Sequence, residues 1–292
     1  MGEVFEMIDL HTHTKYSDGT WSVKELLKEA KKANIEILSI TDHNSVSAYK
    51  EMKEFNYKDY FSGKIIKGIE FSTVYDGVFF HMLAYDFDVK KVEEFLNLNY
   101  QKPNLDKEFE YMMSSCRKNG VNIGNINYSD KSKYPVSIIW QEIKKYNENR
   151  KLFSNEEWEN EDFFFNSCVT NKNFPVALDM SIHYPTADFV SKKIREFGGK
   201  TFVAHIFKYK LNRPFDFIDK LKDNNVIDGV EVYHSYFSDI QMKELYNYCL
   251  KNNLLMSGGT DCHGMKRPDR KIGIGYGNMN ISKKIIDNWY KI

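Results

Sequence analysis

A chain of 292 residues is long enough to bury one large core, alone or with a smaller inserted one. Lys and Arg (41) balance Asp and Glu (41), so no global field draws in an anionic membrane or nucleic acid, and sequence-specific nucleic-acid binding is not expected. The composition, 42% hydrophobic and 28% charged with no apolar run near the ~20 residues of a spanning helix, excludes disordered, fibrous and helical membrane classes. The opening MGEVFEMIDLHTHT lacks the basic and apolar regions of a secretory signal. Cys116, Cys168, Cys249 and Cys262 form no CxxC and no disulfide framework, so a reducing cytoplasmic setting is expected.

The first hundred residues alternate strand and helix patterns. A short apolar run, 7–10, ends at His11. Ser22 and Glu25 make a capping box, and Val23, Leu26, Leu27 and Ala30 then recur at helical spacing to about Asn34. Strands are expected at 35–40, ending at Asp42-His43, and at 64–69, ending at Glu70; a third, 78–85, follows a turn at Asp76-Gly77. From about 100 to 185 the pattern loosens into a polar segment, a helix at 138–147 and the acidic, aromatic NEEWENEDFFF. We expect an inserted, mostly helical subdomain over 100–185, a possible substrate cap, between barrel segments 1–99 and 186–292. Alternation then resumes: a helix at 187–197 closed by Gly198-Gly199, a strand at 201–204 ending at His205, and a helix at 215–224. A strand at 229–233, a helix at 240–252, a strand at 254–258 running into Gly259-Thr260-Asp261 and a last helix at 282–289 complete the series.

Repeated strand–helix units of this length build either a doubly wound sheet or an α/β barrel. His11, His43, Glu70, His205 and Asp261 each fall at the C-terminal end of an expected strand. A barrel gathers those ends on one face, whereas an open sheet spreads them along an edge, so a TIM-like α/β barrel is expected. His11 and His13, at i and i+2 of an extended segment, point the same way and can share an ion. Asp18 precedes Gly19 on the next loop, His81 sits in an apolar strand, and Asp261 and His263 repeat the i, i+2 spacing. Taken singly, His81 reads as a core residue, Asp18 as a turn residue and Glu70 as a surface acid. Their convergence on strand ends is what makes a site. Imidazole and carboxylate without thiolate suit Mn, Fe or Zn.

In this order HTHTKYSDGT, ITDHN, GIEFS, HMLAY, VAHIF and GGTDCHG closely resemble the motifs of the PHP (polymerase and histidinol phosphatase) family, over about residues 7–90 and 186–265. The resemblance implies a distorted (β/α)7 barrel with a trinuclear metal centre, two to three divalent ions in all. It places His11, His13, Glu70 and Asp261 on a first ion, Glu70 as a bridge with His81 and His205 on a second, and Asp18, His43 and His263 on a third. Asp18, His43, Glu70, Asp261 and His263 would act through a metal-bound hydroxide that attacks phosphorus. The SDG form at Asp18 and the insert resemble the branch of nucleoside 3′,5′-bisphosphate phosphatases and 5′-end-directed exonucleases of the YciV/TrpH type. The expected substrate is a small phosphorylated molecule, a nucleotide or short oligonucleotide. The alternatives are a histidinol-phosphate-like phosphomonoesterase and, from another class, a non-catalytic metal-binding PHP module. Two motifs depart from the family: Ala204-His205-Ile206 replaces its AHP, and Lys133–Ile138 holds no counterpart of the arginine that nucleotide-cleaving members place early in the insert.

Around the ligands, Asp42 is expected to orient an imidazole or a bound water, and Glu231 and His234 to reach substrate from another strand end. Lys208, Lys210, Arg213, Arg267 and Arg270 follow ligand-bearing strand ends; Arg213 and Arg267 are singled out as phosphate binders and the others assigned to a solvated basic face. Tyr134, Trp140 and Trp158 of the insert either stack a base or form the insert's own core. Cys262, between two ligands, is turned away to pack.

Overall fold

Strands rich in Ile, Val, Leu and Phe, most of them buried on both faces, carry the computed structural model, which describes residues 7–100, 104–171, 174–209 and 211–291. The chain divides into two units, Met1–Thr73 with Phe80–Tyr100 and Thr186–Ile292, and Val74–Phe79 with Gln101–Pro185. Seven strands lie in sequential order: β1 (Met7–Asp9), β2 (Ile35–Ile40), β3 (Lys64–Tyr75), β4 (Val78–Tyr85), β5 (Lys200–Val203), β6 (Gly229–His234) and β7 (Leu255–Gly259). β1, β2 and β3 run parallel, as do β5, β6 and β7. β4 breaks the pattern. The turn Asp76-Gly77 holds both residues at positive φ (50° and 73°), as a two-residue hairpin turn of this hand requires, so β4 runs back along β3 and pairs antiparallel with β5.

The sheet closes on itself. Leu10 N donates to Gly258 O (3.1 Å), Asp261 N to His11 O (2.8 Å) and His13 N to Cys262 O (2.9 Å), which joins β7 and its continuation to β1. A Cβ on Gly259 would fall 2.2 Å from His11 N, so only glycine permits that approach. The expected α/β barrel is therefore a distorted, closed seven-stranded one. Asp9, to which the sequence pattern assigned no role, clasps the seam. Its Oδ1 accepts from Thr260 N (2.9 Å) and His11 N (3.3 Å), and its Oδ2 from Thr260 Oγ1 (2.6 Å) and Gly273 N (2.9 Å).

Helices on the barrel begin where the sequence signals them. Ser22 and Glu25 complete the capping box of Val23–Lys32, and Ser238 with Gln241 does the same for Asp239–Asn252. Two expectations are corrected. β3 continues past Glu70 to Tyr75, because the hairpin prolongs it, so Glu70 lies within a strand. The last helix, expected at 282–289, is a single 3₁₀ turn, Lys283–Ile286. Ile8 N donates to Ile281 O (2.9 Å), and Met7 pairs with Ser282, so the segment enters extended. Ile286 and Trp289 then join the buried cluster of Ile8, Leu10, Tyr85 and Phe202 at the barrel floor.

In the second unit the helix expected at 138–147 runs from Pro135 to Ile143 and packs with Leu105–Lys118. Phe109, Met112, Ile139, Phe153, Phe164 and Cys168 form that unit's own core. Trp140 and Trp158 pack against it, and Trp140 Nε1 donates to Glu157 O (3.1 Å), so both belong to the core and not to a stacking surface. No helix among the described residues is long and apolar enough to cross a membrane.

Asp9→Ala would leave three buried backbone N–H groups, of His11, Thr260 and Gly273, and the Thr260 hydroxyl without their acceptor. At about 1–3 kcal/mol for each unsatisfied group, a loss of about 3 kcal/mol or more is expected, read as a lower urea midpoint at unchanged slope.

Candidate metal centre

Thr12 buries its side chain by donating from Oγ1 to Ser39 O (2.8 Å), which turns His11 and His13 together into the barrel mouth. Both are fully buried, with ring centroids 5.2 Å apart. Glu70, opposite them on β3, gathers five imidazoles. Its Oε2 lies 3.1 Å from His11 Nε2, 3.2 Å from His13 Nε2 and 3.3 Å from His43 Nδ1. Its Oε1 lies 3.0 Å from His81 Nδ1 and 2.7 Å from His205 Nε2. Asp261 Oδ1 faces His13 Nε2 (3.2 Å) and His11 Nε2 (3.5 Å), and Asp18 Oδ1 faces His263 Nε2 (3.1 Å) and His43 Nε2 (3.8 Å). All nine residues that the sequence singled out as ligands meet in one cluster.

Within it, ligand atoms lie within 4.8 Å of one another in overlapping groups: His11, His13, Glu70 and Asp261; His43, Glu70 and His81; His13, Asp18, His43 and His263. Glu70 belongs to two of them, the position of a bridge. Three buried atoms, His13 Nε2, His43 Nδ1 and Asp18 Oδ1, have no hydrogen-bond partner. Buried polar atoms are nearly always satisfied, so three orphans aimed at one centre fit divalent ions. Tautomers agree. His11 Nδ1 donates to Glu231 Oε1 (2.7 Å) and His263 Nδ1 to Asp261 O (2.7 Å), because those oxygens can only accept; each ring thus turns Nε2 to the cluster.

Charge is balanced by the same contacts. Burial alone would raise Glu70, yet His43, His11 and His81 hold its carboxyl well below the usual range. Asp261 is likewise held well below that range, by Lys208, His11 and His13 against the same burial. Burial pushes His43 down to about 3, with Glu70 opposing, and pushes His205 well down, toward the neutral form that ligates a metal. His13 goes the other way. Burial opposes its proton, but Asp261 and Glu70 raise it to about 9. In the metal-free protein His13 therefore carries a proton that a metal must displace.

Other expectations fare differently. Glu231 and His234 are fully buried behind the ligands and do not reach a substrate face. Glu231 Oε2 accepts from His205 N (2.7 Å), fixing a turn in which His205 has φ of 26°, so one carboxylate orients ligands on two strands. His234 Nδ1 accepts from Tyr236 N (3.1 Å), so its Nε2 carries the proton and donates to Asp261 Oδ2 (3.3 Å). Asp42 accepts from Thr14 N (2.7 Å), Thr14 Oγ1 (2.6 Å) and Ser17 Oγ (2.6 Å). It reaches an imidazole only through Ser17, whose Oγ lies 3.3 Å from His13 Nδ1.

Arg213 pairs with Asp216 (3.0 Å) at the start of the helix Pro214–Asp223, with its side chain 78% exposed, so it belongs to a solvated helix end and not to the cluster. Arg267 uses its backbone N–H to close the turn Gly264–Lys266 (3.3 Å to Gly264 O). Lys210 lies outside the described residues. Among the described residues, Arg270 reaches Asp261 Oδ2, Lys208 the same oxygen (3.6 Å) and Lys266 Asp18 Oδ2 (2.8 Å). Tyr209, which no sequence pattern marked, accepts from His81 N (2.7 Å) and touches His205 Nδ1 (3.0 Å).

The sequence profile of the PHP domain matches residues 9–174. The 5′-3′ exoribonuclease of Haemophilus influenzae is 23% identical over 97% of this chain and 98% of its own. The 5′-3′ exoribonuclease Rnm of Escherichia coli is 31% identical over 81 residues, so the chain spans only 28% of that relative's length. Among solved structures, a protein of Bifidobacterium adolescentis described as a metal-dependent phosphoesterase superposes with a TM-score of 0.60 at 18% identity, covering 96% of this chain and 94% of its own. An amidohydrolase of Chromobacterium violaceum, crystallised with sulfate, does so with a TM-score of 0.61 at 19% identity, covering 91% and 89%. Both likenesses are of fold.

Two outcomes are expected. Glu231→Gln can accept at only one of its two bonds, so metal affinity measured by chelator competition should fall about 10–100-fold while the protein stays folded. In chelator-treated protein, the proton on His13 is held more tightly folded (about 9) than unfolded (6.5). Its stabilisation is complete below pH 6.5 and lost as pH rises to about 9, so the melting temperature should fall across that window. Excess Mn²⁺ should flatten the fall.

Proposed function

The chain belongs to the PHP domain family, and from that premise we propose that it is a metal-dependent phosphoesterase acting on a nucleotide, a nucleoside 3′,5′-bisphosphate or a short oligonucleotide. The observation that carries this is Glu70 shared between groups of imidazole and carboxylate donors, with three buried donor atoms left unbonded beside it. His11, His13, Glu70 and Asp261 would hold one ion, Glu70, His81 and His205 a second, and Asp18, His43 and His263 a third. Such ions neutralise charge on phosphoryl oxygens and acidify water.

This chain's own residues supply the rest. His11, His13 and Glu70 are sealed from solvent, whereas His43, His81 and Asp18 are partly open, so substrate enters on their side. Lys208 and Lys266, both partly exposed, stand over ligand carboxylates where a phosphate dianion would settle. Glu231, His234 and Asp42 hold the ligands from behind. A nucleotide, and not another phosphomonoester, is favoured by the full-length likeness to a protein named as an exoribonuclease. A complete ligand set speaks for catalysis over a purely structural PHP module. Four buried cysteines, none of them in a disulfide, suit a cytoplasmic setting.

Protein purified without chelator should hold more than one Mn, Fe or Zn per chain and release phosphate from adenosine 3′,5′-bisphosphate with added Mn²⁺. Chelation, His11→Ala or Asp261→Ala should abolish release. A metal-free protein inert on every ester would end the proposal. Turnover of other phosphomonoesters, with bisphosphates and oligonucleotides inert, would end the nucleotide assignment alone.

A further inference from the structure

Among the described residues of the barrel unit, three large aromatic side chains are exposed: Phe189, Tyr236 and Tyr276. Phe189 packs on Phe95 at the outer helices. The two tyrosines stand elsewhere, Tyr236 just after β6 and Tyr276 in the segment beyond β7, the same strand ends that carry His234, Asp261 and His263. Tyr236 is 49% exposed and Tyr276 46%. Both touch one arginine. The Arg270 guanidinium lies 5.9 Å from the Tyr236 ring centroid, and its Nε donates to the Tyr276 hydroxyl (3.4 Å). Arg270 is itself buried and ion-paired with Asp261. The open rings are thus a single side chain away from the ligand cluster.

Burying aromatic area is among the larger stabilising contributions a side chain can make, and these two phenols forgo about half of it. What they present instead is a pair of π-faces around a fixed cation that shares Asp261 Oδ2 with Lys208. An apolar partner would gain nothing from Arg270, Lys208 and Lys266. A flat heteroaromatic ring joined to a phosphate uses both halves, since every nucleobase offers a π-face to stack and arginine adds cation–π attraction. We propose that Tyr236 and Tyr276, held by Arg270, form a platform on which the base of a nucleotide stacks while its phosphate lies at the ligand cluster. This rests on the phosphoesterase function proposed above and adds where the base is read.

Calorimetric titration of the Mn²⁺-loaded protein tests it with two ligands that cannot be hydrolysed, the methylenephosphonate analogues of adenosine 5′-phosphate and ribose 5-phosphate. Stacking of one base is worth about 1–3 kcal/mol, so wild type should prefer the adenosine ligand about tenfold or more. Tyr236→Ala and Tyr276→Ala should each shrink that ratio, and the double variant should bring it near unity. Tyr276→Phe, which keeps the ring, should retain it. The double Tyr→Leu variant keeps apolar bulk and replaces the alanine pair if that pair melts early. No preference in wild type, or a preference that survives in the double variant, overturns the platform. Phosphate release by wild type, measured in parallel, judges the phosphoesterase function separately: a preference without turnover leaves the platform standing and removes that function.

Discussion

One carboxylate organises this protein. Glu70 sits fully buried with five imidazoles around it, an arrangement that no apolar packing or simple ion pairing would maintain. A lone buried carboxylate costs several kcal/mol, and five neighbouring imidazoles could not all be protonated beside one another. Only donors from four different strands or strand ends, brought to within hydrogen-bonding distance of the same two oxygens, make the site tolerable. The barrel is the means of bringing them there. Its closure by Asp9 and by the bare backbone of Gly259 matters because His11 is part of that seam.

A layer behind the ligands carries as much of the design as the ligands themselves. Glu231 takes one bond from the His11 ring and one from the His205 backbone, so two strands are tied through a third. His234 and Arg270 both lean on the outer oxygen of Asp261, leaving its inner oxygen to His11 and His13. Two ligands, His205 and Asp261, sit at positive φ directly after parallel strands. Such backbone is costly for non-glycine residues and persists where surrounding bonds over-determine it.

The ligands were legible because metal chemistry restricts residue type and because strand ends converge by topology. His11, His13, Asp261 and His263 repeat the i, i+2 spacing, and six ordered motifs did the rest. Supporting residues were less legible. Asp9 and Tyr209 act through bonds to backbone and to residues far away in sequence, and no local pattern announces such partners. Arg213 and Arg270 were misjudged for a related reason. Proximity in sequence to a ligand strand favoured Arg213, but the helix starting at Pro214 carries it to Asp216 and solvent, while Arg270 returns to Asp261. The terminal segment reads as a helix by periodicity alone; pairing of Ile281 and Ser282 beside β1 overrides it. In the insert, Trp140 and Trp158 are ordinary core.

The seam between β1 and β7 bears on how the protein is made. Asp9 and Thr260 are 251 residues apart, yet their bond is part of what holds His11 in place. A ribosome must deliver the whole stretch between these two residues before β7 can dock against the HTHT segment. The donor set is therefore complete only once β7 has docked and brought Asp261 beside His11 and His13.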